Sequence, residues 1–203
     1  MRLILMIFLL SSFSLMGQNV DGWELKRDSK NIRIYTREIP DSDIKEYRAQ
    51  MLVNAPVQRV VDYVLDYDLM MQWNKTVVEY KVLEQKEEGD LVYMENSAPW
   101  PVENRDNISL VRLEYLPDGS ARIFLEGIAE DLVPLKEGVV RMRDVKGYWE
   151  IKPYQDKTMV IQQMYGDPEG SIPPSFVNGF MASSAHKTFK ALREICESNK
   201  ANH

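Results

Sequence analysis

Few side chains in this sequence have the type and spacing that catalysis needs. His186 falls in a helix-period stretch near the end of the chain, and the other histidine is His203. A serine–histidine or cysteine–histidine pair would have to use His186. Ser183 and Ser184 are close to it in sequence but on different helix faces, and Cys196 is ten residues downstream. We therefore predict no catalytic residues.

Metal and cofactor sites have equally little support in the sequence. A metal site usually needs several His or Cys ligands at close spacing, and the chain has two His and one Cys. It has no glycine-rich phosphate loop. The adjacent carboxylates Glu130 and Asp131 have the pattern of a solvated loop. We predict no metal and no cofactor.

The bulk composition is that of one acidic globular domain. The chain has 203 residues, is 44% hydrophobic and carries a formal net charge of −6. A length of this order supports a sizeable core. An acidic chain without a basic run argues against nucleic acid as a partner and against strong electrostatic docking on anionic membranes. Transient membrane contact through apolar side chains stays open, and we expect a monomer.

The first residues have the layout of a secretory signal peptide. Met1 and Arg2 form a short positive region, and the apolar run from Leu3 to Leu10 follows. This run is much shorter than the ~20 apolar residues of a membrane span. We predict cleavage after Gly17, with an uncleaved anchor as the alternative. The expected product is an exported protein, periplasmic or secreted, in which residues 18–203 form a single domain.

The order of predicted elements indicates an α+β fold. Period-two alternation predicts strands, and Trp23 to Asp28 reads as a short helical or extended lead-in. Two short helices are predicted after the second strand, the first opening at Pro56 and the second covering Asp68 to Trp73. The predicted strands are Asn31–Arg37, Tyr47–Val53, Val77–Leu83, Leu91–Asn96, Asn107–Tyr115, Ala121–Gly127, Val139–Asp144 continuing to Ile151, and Thr158–Gly166.

A long helix is predicted after Pro173 and Pro174, where a missing N–H costs nothing. Apolar and small residues recur at steps of three and four along it. Its first half carries no formal charge, so that half should be enclosed. It is either a core helix or a helix that covers a cavity, with Gly179 leaving room for a ligand or a hinge. The predicted shared face consists of Val177, Met181, Ser184, Thr188, Leu192 and Ile195.

Five patches in this order resemble the START domain, the lipid-transfer module with a helix-grip fold. The resemblance covers about Trp23 to Ser198 and implies a curved antiparallel sheet wrapped around the long C-terminal helix. It also implies a tunnel between them that binds a lipid or another hydrophobic molecule. The patches are Trp73-Asn74 with Val78–Leu83, Pro99-Trp100-Pro101 with Asn104-Arg105-Asp106, Gly138–Arg141, Gly147–Pro153, and Asp167–Pro173 leading into Val177-Asn178.

The resemblance also assigns roles to particular segments. The loop Ile128 to Glu137 corresponds to the family's omega loop, beside the helix at the tunnel mouth. Some sterol-handling members carry a buried arginine five residues after the Arg-Asp aspartate. Here that position is Val111, and Arg112, one step further, should point to the opposite face of the strand. The departure weakens sterol as the ligand.

Arg105 and Asp106 are expected to tie the loop after Pro101 to the sheet. Trp149 is expected in the core, and either Gln162 or Gln163 should face the tunnel as its polar group. The predicted ligand-binding residues are Trp100, Phe124, Leu132, Leu135, Met142, Gln162, Met164, Val177, Phe180, Met181 and Ser184.

Three functions are consistent with these patterns. The first is a protein that binds a lipid and shuttles it between membranes outside the cytoplasm. The second is an enzyme, of the hydrolase or cyclase type, that uses the same cavity. The third is a protein-interaction module with a filled core.

Overall fold

A sheet of ten strands dominates the computed structural model, which describes residues 21–198. The predicted signal peptide, residues 1–17, lies outside the described residues. The strands are β1 Glu24–Ser29, β2 Ile32–Ile39, β3 Ser42–Val53, β4 Val77–Lys86, β5 Gly89–Asn96, β6 Asn104–Tyr115, β7 Ala121–Gly127, β8 Val139–Arg141, β9 Val145–Tyr154 and β10 Lys157–Gly166.

Nine strands form one antiparallel path in the order β1-β2-β3-β10-β9-β7-β6-β5-β4. The tenth, β8, pairs in parallel with the start of β6. Neighbours along the chain are mostly neighbours in the sheet, as expected for hairpins with short turns. Strands β3 and β4 are the exception: two short helices connect them, and they lie far apart in the sheet. Strands β7 and β9 pair with each other although a long loop and β8 separate them in the chain.

The two short helices are α1, Val57–Leu65, and α2, Tyr67–Trp73. Buried valines one turn apart give α1 its inner stripe, which includes Val60 and Val64. Asp66 separates the helices: its backbone N–H donates to Asp62 at the end of α1, while its side chain accepts from the Leu69 N–H. One aspartate therefore ends the first helix and caps the second.

The long helix α3, Pro174–Glu197, closes one face of the sheet. Pro174 occupies its first turn, as the sequence predicted. The ring of Phe189 stacks on Trp149 of β9, with centroids 5.6 Å apart and planes 8° apart. Phe189 and Leu192 are fully buried, so the second half of α3 forms core with the sheet and α1. Within residues 21–198 no helix has the length and apolar character needed to span a bilayer.

The α+β helix-grip prediction is confirmed, with differences at two places. Residues 24–29 form a strand, so the short helices follow the third strand of the chain and not the second. The predicted continuous strand from Val139 to Ile151 is two strands, β8 and β9. They are separate because β8 pairs with the start of β6, whereas β9 pairs with β7 and β10. Residues 142–144, which belong to no strand, carry the chain from one pairing to the other.

Candidate functional site

A cavity of about 300 Å³ lies between the inner face of the sheet, the short helices and α3. Its lining is mainly apolar and includes five methionines, Met70, Met94, Met142, Met164 and Met181. Such side chains adapt to irregular ligands. The volume is at the lower end of the roughly 300–1,000 Å³ typical of small-molecule sites.

Seven of the eleven predicted ligand-binding residues line this cavity. They come from β10, from α3 and from the loop after β8, which the antiparallel order brings together. They are Met142, Gln162, Met164, Val177, Phe180, Met181 and Ser184.

The other four predicted residues do not line it. Trp100 projects into solvent with 92% of its surface exposed, although Pro99 and Val102 beside it are lining residues. Leu132 and Leu135 are exposed by 56% and 60%. Phe124 lies on the outer face of β7, where its ring contacts Tyr148 and the Arg112 guanidinium.

The error at Phe124 has a geometric cause. Side chains alternate between the two faces of a strand, and Ile123 and Leu125 are the residues of β7 that line the cavity. The same alternation holds on β6. Val111 lines the cavity, and Arg112 is exposed on the opposite face, as predicted.

A buried polar pair lies within the apolar lining. The Tyr47 hydroxyl donates to Gln162 Oε1 over 2.9 Å, and both residues line the cavity. Burial raises the pKa of Tyr47 above its ordinary range, so this hydroxyl stays a donor. The bond leaves the Gln162 amide N–H groups for another acceptor. Gln163 faces outward, where it bonds Tyr148 and Glu46.

Two tyrosines form a second polar feature of the wall. The rings of Tyr67 and Tyr80 stack with centroids 4.3 Å apart. The Tyr67 hydroxyl donates to Asp90 Oδ2 over 2.7 Å. Burial, reinforced by the Asp90 carboxylate, raises the pKa of Tyr67 to about 12. Both phenols are therefore neutral at physiological pH and can act as hydrogen-bond donors.

Arg105 lines the cavity, whereas the sequence predicts that it ties the loop after Pro101 to the sheet. The predicted tie to the loop after Pro101 is one local bond, from Nη1 to the Glu103 carbonyl. Nε donates to the Pro168 carbonyl over 3.0 Å, and Nη2 contacts the Glu169 carbonyl at 3.4 Å. These bonds connect β6 to the loop that leads into α3. The residue is 9% exposed and also borders the cavity.

Asp106 points the other way and anchors the loop of residues 128–137. Its carboxylate pairs with Arg141 through Nε at 2.6 Å and Nη2 at 3.1 Å. The pair is buried, and Arg141 also bonds the Asp131 carboxylate and the Val133 carbonyl. The buried Arg141–Asp106 ion pair thus fixes the loop to β6.

That loop does not take the position the resemblance implied. Val133 packs with Tyr93 and Ile108 on the outer face of the sheet, and Lys136 pairs with Glu79 and Glu95 there. None of residues 128–137 lines the cavity. The apolar tip is therefore held on the outside of β5 and β6 and does not border the ligand space.

The short helices and several strand residues contribute to the cavity without having been predicted from the sequence. The cavity wall also includes Val64, Leu65, Met70, Trp73, Tyr47, Tyr80, Asn96 and Asn107. For α2, the available signal was its bulky apolar side chains, which must pack against another part of the protein. For Asn96 and Asn107, the available signal was the alternation of side chains along β5 and β6, which places both on the inner face.

Gly179 does not make room in the cavity. It is exposed, and a Cβ built there would meet no atom within 4 Å. It borders a separate open groove of about 750 Å³ between α3 and strands β2 and β3, whose lining includes Lys26, Glu38 and Lys45. That groove is larger but has charged side chains in its lining, so the mainly apolar cavity is the better candidate for a hydrophobic ligand.

Neither His186 nor Cys196 belongs to the cavity. The His186 ring lies on the other side of α3, with Nε2 3.2 Å from the Ser29 carbonyl. Cys196 is buried in the core, and burial raises the pKa of its thiol to about 12. Within residues 21–198, no group of His, Cys, Asp and Glu side chains has the arrangement of a metal site.

Known proteins share this sequence and this fold. The START domain profile matches residues 9–202. An uncharacterised protein of Pseudomonas aeruginosa is 28% identical over 178 residues, covering 87% of this chain and 88% of its own length. The phosphatidylcholine transfer protein of Mus musculus is 24% identical over 180 residues, with coverages of 86% and 84%.

A solved structure gives the same result at higher identity. It is a STAR-related lipid transfer protein from Xanthomonas axonopodis, with a TM-score of 0.79 and 33% identity. The match covers 88% of this chain and 100% of that one. The sheet order, the long closing helix and the cavity between them, together with a profile match over nearly the whole length, establish that this chain belongs to the START domain family.

Proposed function

We propose that this protein binds a lipid or another hydrophobic small molecule in the cavity under α3. The observation that carries the proposal is the apolar cavity itself. It is bounded by the sheet and by Val177, Phe180 and Met181 of the helix. A stable core would fill such a volume, because interiors pack at the density of organic crystals. Relatives named as lipid transfer proteins support the same function.

The cavity chemistry favours binding over catalysis. The described lining offers one charged group, Arg105, together with neutral phenols, amides and hydroxyls. Hydrolysis or cyclisation needs a convergent acid–base pair, and no carboxylate or imidazole is among the described lining residues. A volume of about 300 Å³ also argues against an interaction module with a filled core.

Shuttling between membranes outside the cytoplasm is the finer part of the proposal. It is motivated by the signal-like residues 1–17 and by two exposed aromatic side chains near the cavity. Trp100 is 92% exposed between two lining residues, and Phe176, itself a lining residue, is 44% exposed at the start of α3. Aromatic side chains of this kind favour the membrane–water interface. A monomer would make transient contact there while it exchanged its ligand.

Native mass spectrometry of the gently purified protein tests the binding function. We expect a co-purifying apolar molecule, and uptake of the neutral dye Nile red after solvent extraction. Repeated extraction that yields no small molecule, together with no dye uptake, would refute the proposal.

The membrane step has its own test. Trp100→Ala should slow transfer of a fluorescent lipid between vesicles while Nile red binding is unchanged. Tyr154→Ala is the control, because Tyr154 is 46% exposed and does not border the cavity. Equal transfer rates for the two variants would reject Trp100 as a contact residue.

The export step is checked on the full chain expressed in a bacterial host. We expect the mature protein in the exported fraction with Gln18 as its first residue. A protein that stays in the cell interior with Met1 retained would refute export.

A further inference from the structure

One positive charge stands alone in the wall of the cavity. Among the described residues that line it, Arg105 is the only one with a formal charge. The residue is buried, with 9% of its surface exposed. A buried charge is costly unless it is paired, so the partner of this guanidinium determines which ligands the cavity accepts.

The partners that Arg105 has within the protein are neutral. Its three nitrogens donate to the carbonyl oxygens of Glu103, Pro168 and Glu169. No carboxylate of the described residues lies within 4.0 Å of it. Arg141, in contrast, makes a two-point ion pair with Asp106. The carbonyls orient the Arg105 guanidinium without neutralising it.

Two of its N–H groups remain for a ligand. A guanidinium has five N–H donors in a fixed plane, and the three bonds above leave one on each terminal nitrogen. Two terminal donors match the two oxygens of a carboxylate or phosphate. Burial lowers the pKa of Arg105, with a smaller opposing influence from the exposed Glu103. This direction agrees with a charge that lacks a close anionic partner.

Neighbouring amides complete a polar niche at this part of the wall. Asn96 of β5 lies directly opposite Arg105 in the strand pairing, and Asn107 is the next inward residue of β6. Both line the cavity. The rest of the lining is largely apolar, and its volume favours one hydrocarbon chain over two.

We propose that the ligand is a single-chain amphiphile with an anionic head, a carboxylate or a phosphate monoester, and that Arg105 binds this head. The inference rests on the proposed function, because it names the ligand class of the same cavity. The chain of the ligand lies along the methionine-rich lining, and the head lies against Arg105 and the two asparagines.

Displacement of Nile red from the wild-type protein tests the ligand class. The four competitors are palmitate, hexadecyl phosphate, hexadecanol and dipalmitoyl phosphatidylcholine. We expect palmitate or hexadecyl phosphate to bind at least about tenfold more tightly than hexadecanol, because a charge-assisted hydrogen bond adds this much or more. The ratio of the two anions identifies which head the niche prefers.

A variant pair assigns the preference to Arg105. Arg105→Gln should abolish the preference for the anion over the alcohol. Arg112→Gln is the matched control, since Arg112 is on the same strand but on the outer face, and it should keep the wild-type ratio. If Arg105→Gln does not fold, NMR of ¹⁵N-arginine-labelled wild-type protein replaces it. The Arg105 Nε–H resonance should then shift with palmitate and not with hexadecanol.

The outcomes distinguish the ligand class, the role of Arg105 and the binding function. Equal binding of hexadecanol and the anions, or tightest binding of the two-chain phospholipid, overturns the ligand class while the binding function stands. An unchanged Arg105 resonance, or an unchanged ratio in a folded Arg105→Gln variant, overturns the role of Arg105. Failure of Nile red and of every amphiphile to bind overturns the proposed function and this inference with it.

Discussion

Met181→Trp separates a helix that covers a ligand space from a helix that fills a core. Met181 is half-buried, lines the cavity and packs against Ile44, Tyr165 and Val177. An indole at this position extends into the space under α3 and displaces about three ligand methylenes. At about 0.8 kcal/mol for each methylene, the ligand loses about 2.5 kcal/mol, which corresponds to a roughly 70-fold weaker Kd.

The stability of Met181→Trp distinguishes an open cavity from a packed core. If the space is open, the new ring occupies it, and the free energy of unfolding stays within about 1 kcal/mol of wild type. If the space is already packed, the larger ring costs about 1–3 kcal/mol. Gly179→Trp is the control, because the same ring would lie on the outer side of the same helix, where a Cβ meets no atom.

Two measurements on each variant are needed, the Kd for Nile red or palmitate and the unfolding free energy in urea. Weaker binding with retained stability for Met181→Trp, and unchanged binding for Gly179→Trp, is the expected pair of results. Unchanged ligand binding with a loss of about 1–3 kcal/mol of stability would refute the interpretation of α3 as a cavity wall.

Further predictions concern the frame around the cavity. Gly179→Ala should raise the free energy of unfolding by up to about 1 kcal/mol, because a helix interior favours Ala and no atom obstructs the new methyl group. Urea titration measures this change, and a lower free energy of unfolding in the variant would contradict the prediction. Arg141→Met should cost about 3–5 kcal/mol by leaving the buried Asp106 carboxylate unpaired, and adding Asp106→Leu should recover most of it; a double variant as unstable as the single one would exclude this cause. Burial lowers the pKa of His186 in the folded protein, so as the pH falls the unfolded chain binds a proton at this histidine before the folded protein does. The contribution of neutral His186 to the free energy of unfolding is therefore complete above pH ~6.5, the ordinary histidine pKa. It is lost as the pH falls below that value and through the folded-state pKa. Urea titrations at pH 7.5 and 5.5 should show this loss for wild type and a smaller one for His186→Gln.

The elements with a clear hydrophobic period were predictable from the sequence. Strand β7 has the predicted bounds, because the turn at Pro117-Asp118-Gly119 and the glycine at 127 delimit it. Strand β1 was not predictable in the same way. Its residues are mostly charged and exposed, and it forms by adding its backbone to β2. A strand that buries no alternating face leaves no period-two signal in the sequence.

The candidate site was predictable on the helix and less so on the strands. The face that includes Val177, Met181 and Ser184 follows from helical spacing, and the structure places all three on the cavity. Phe124 was wrong because it stands in an apolar run, where alternation gives no contrast. The charged residues two positions away, Arg122 and Glu126, carry the missing information, since they share its outer face.

Loops gave the weakest predictions, because their placement depends on distant partners. Trp100 follows Pro99, which lines the cavity, yet the turn directs the indole into solvent. The loop of residues 128–137 is fixed by Arg141 and Lys136 against groups on other strands. Neither the turn geometry nor those pairings is encoded in a local period.

The adjacent residues Arg105 and Asp106 show how one local rule sets two properties of the molecule. Consecutive strand residues must face opposite sides, so the pair cannot neutralise itself. Asp106 instead takes Arg141 on the outer face and thereby anchors the 128–137 loop. Arg105 is left on the inner face with neutral carbonyl partners. The cavity consequently holds a positive charge whose missing counterion, in our proposal, is the head of the ligand.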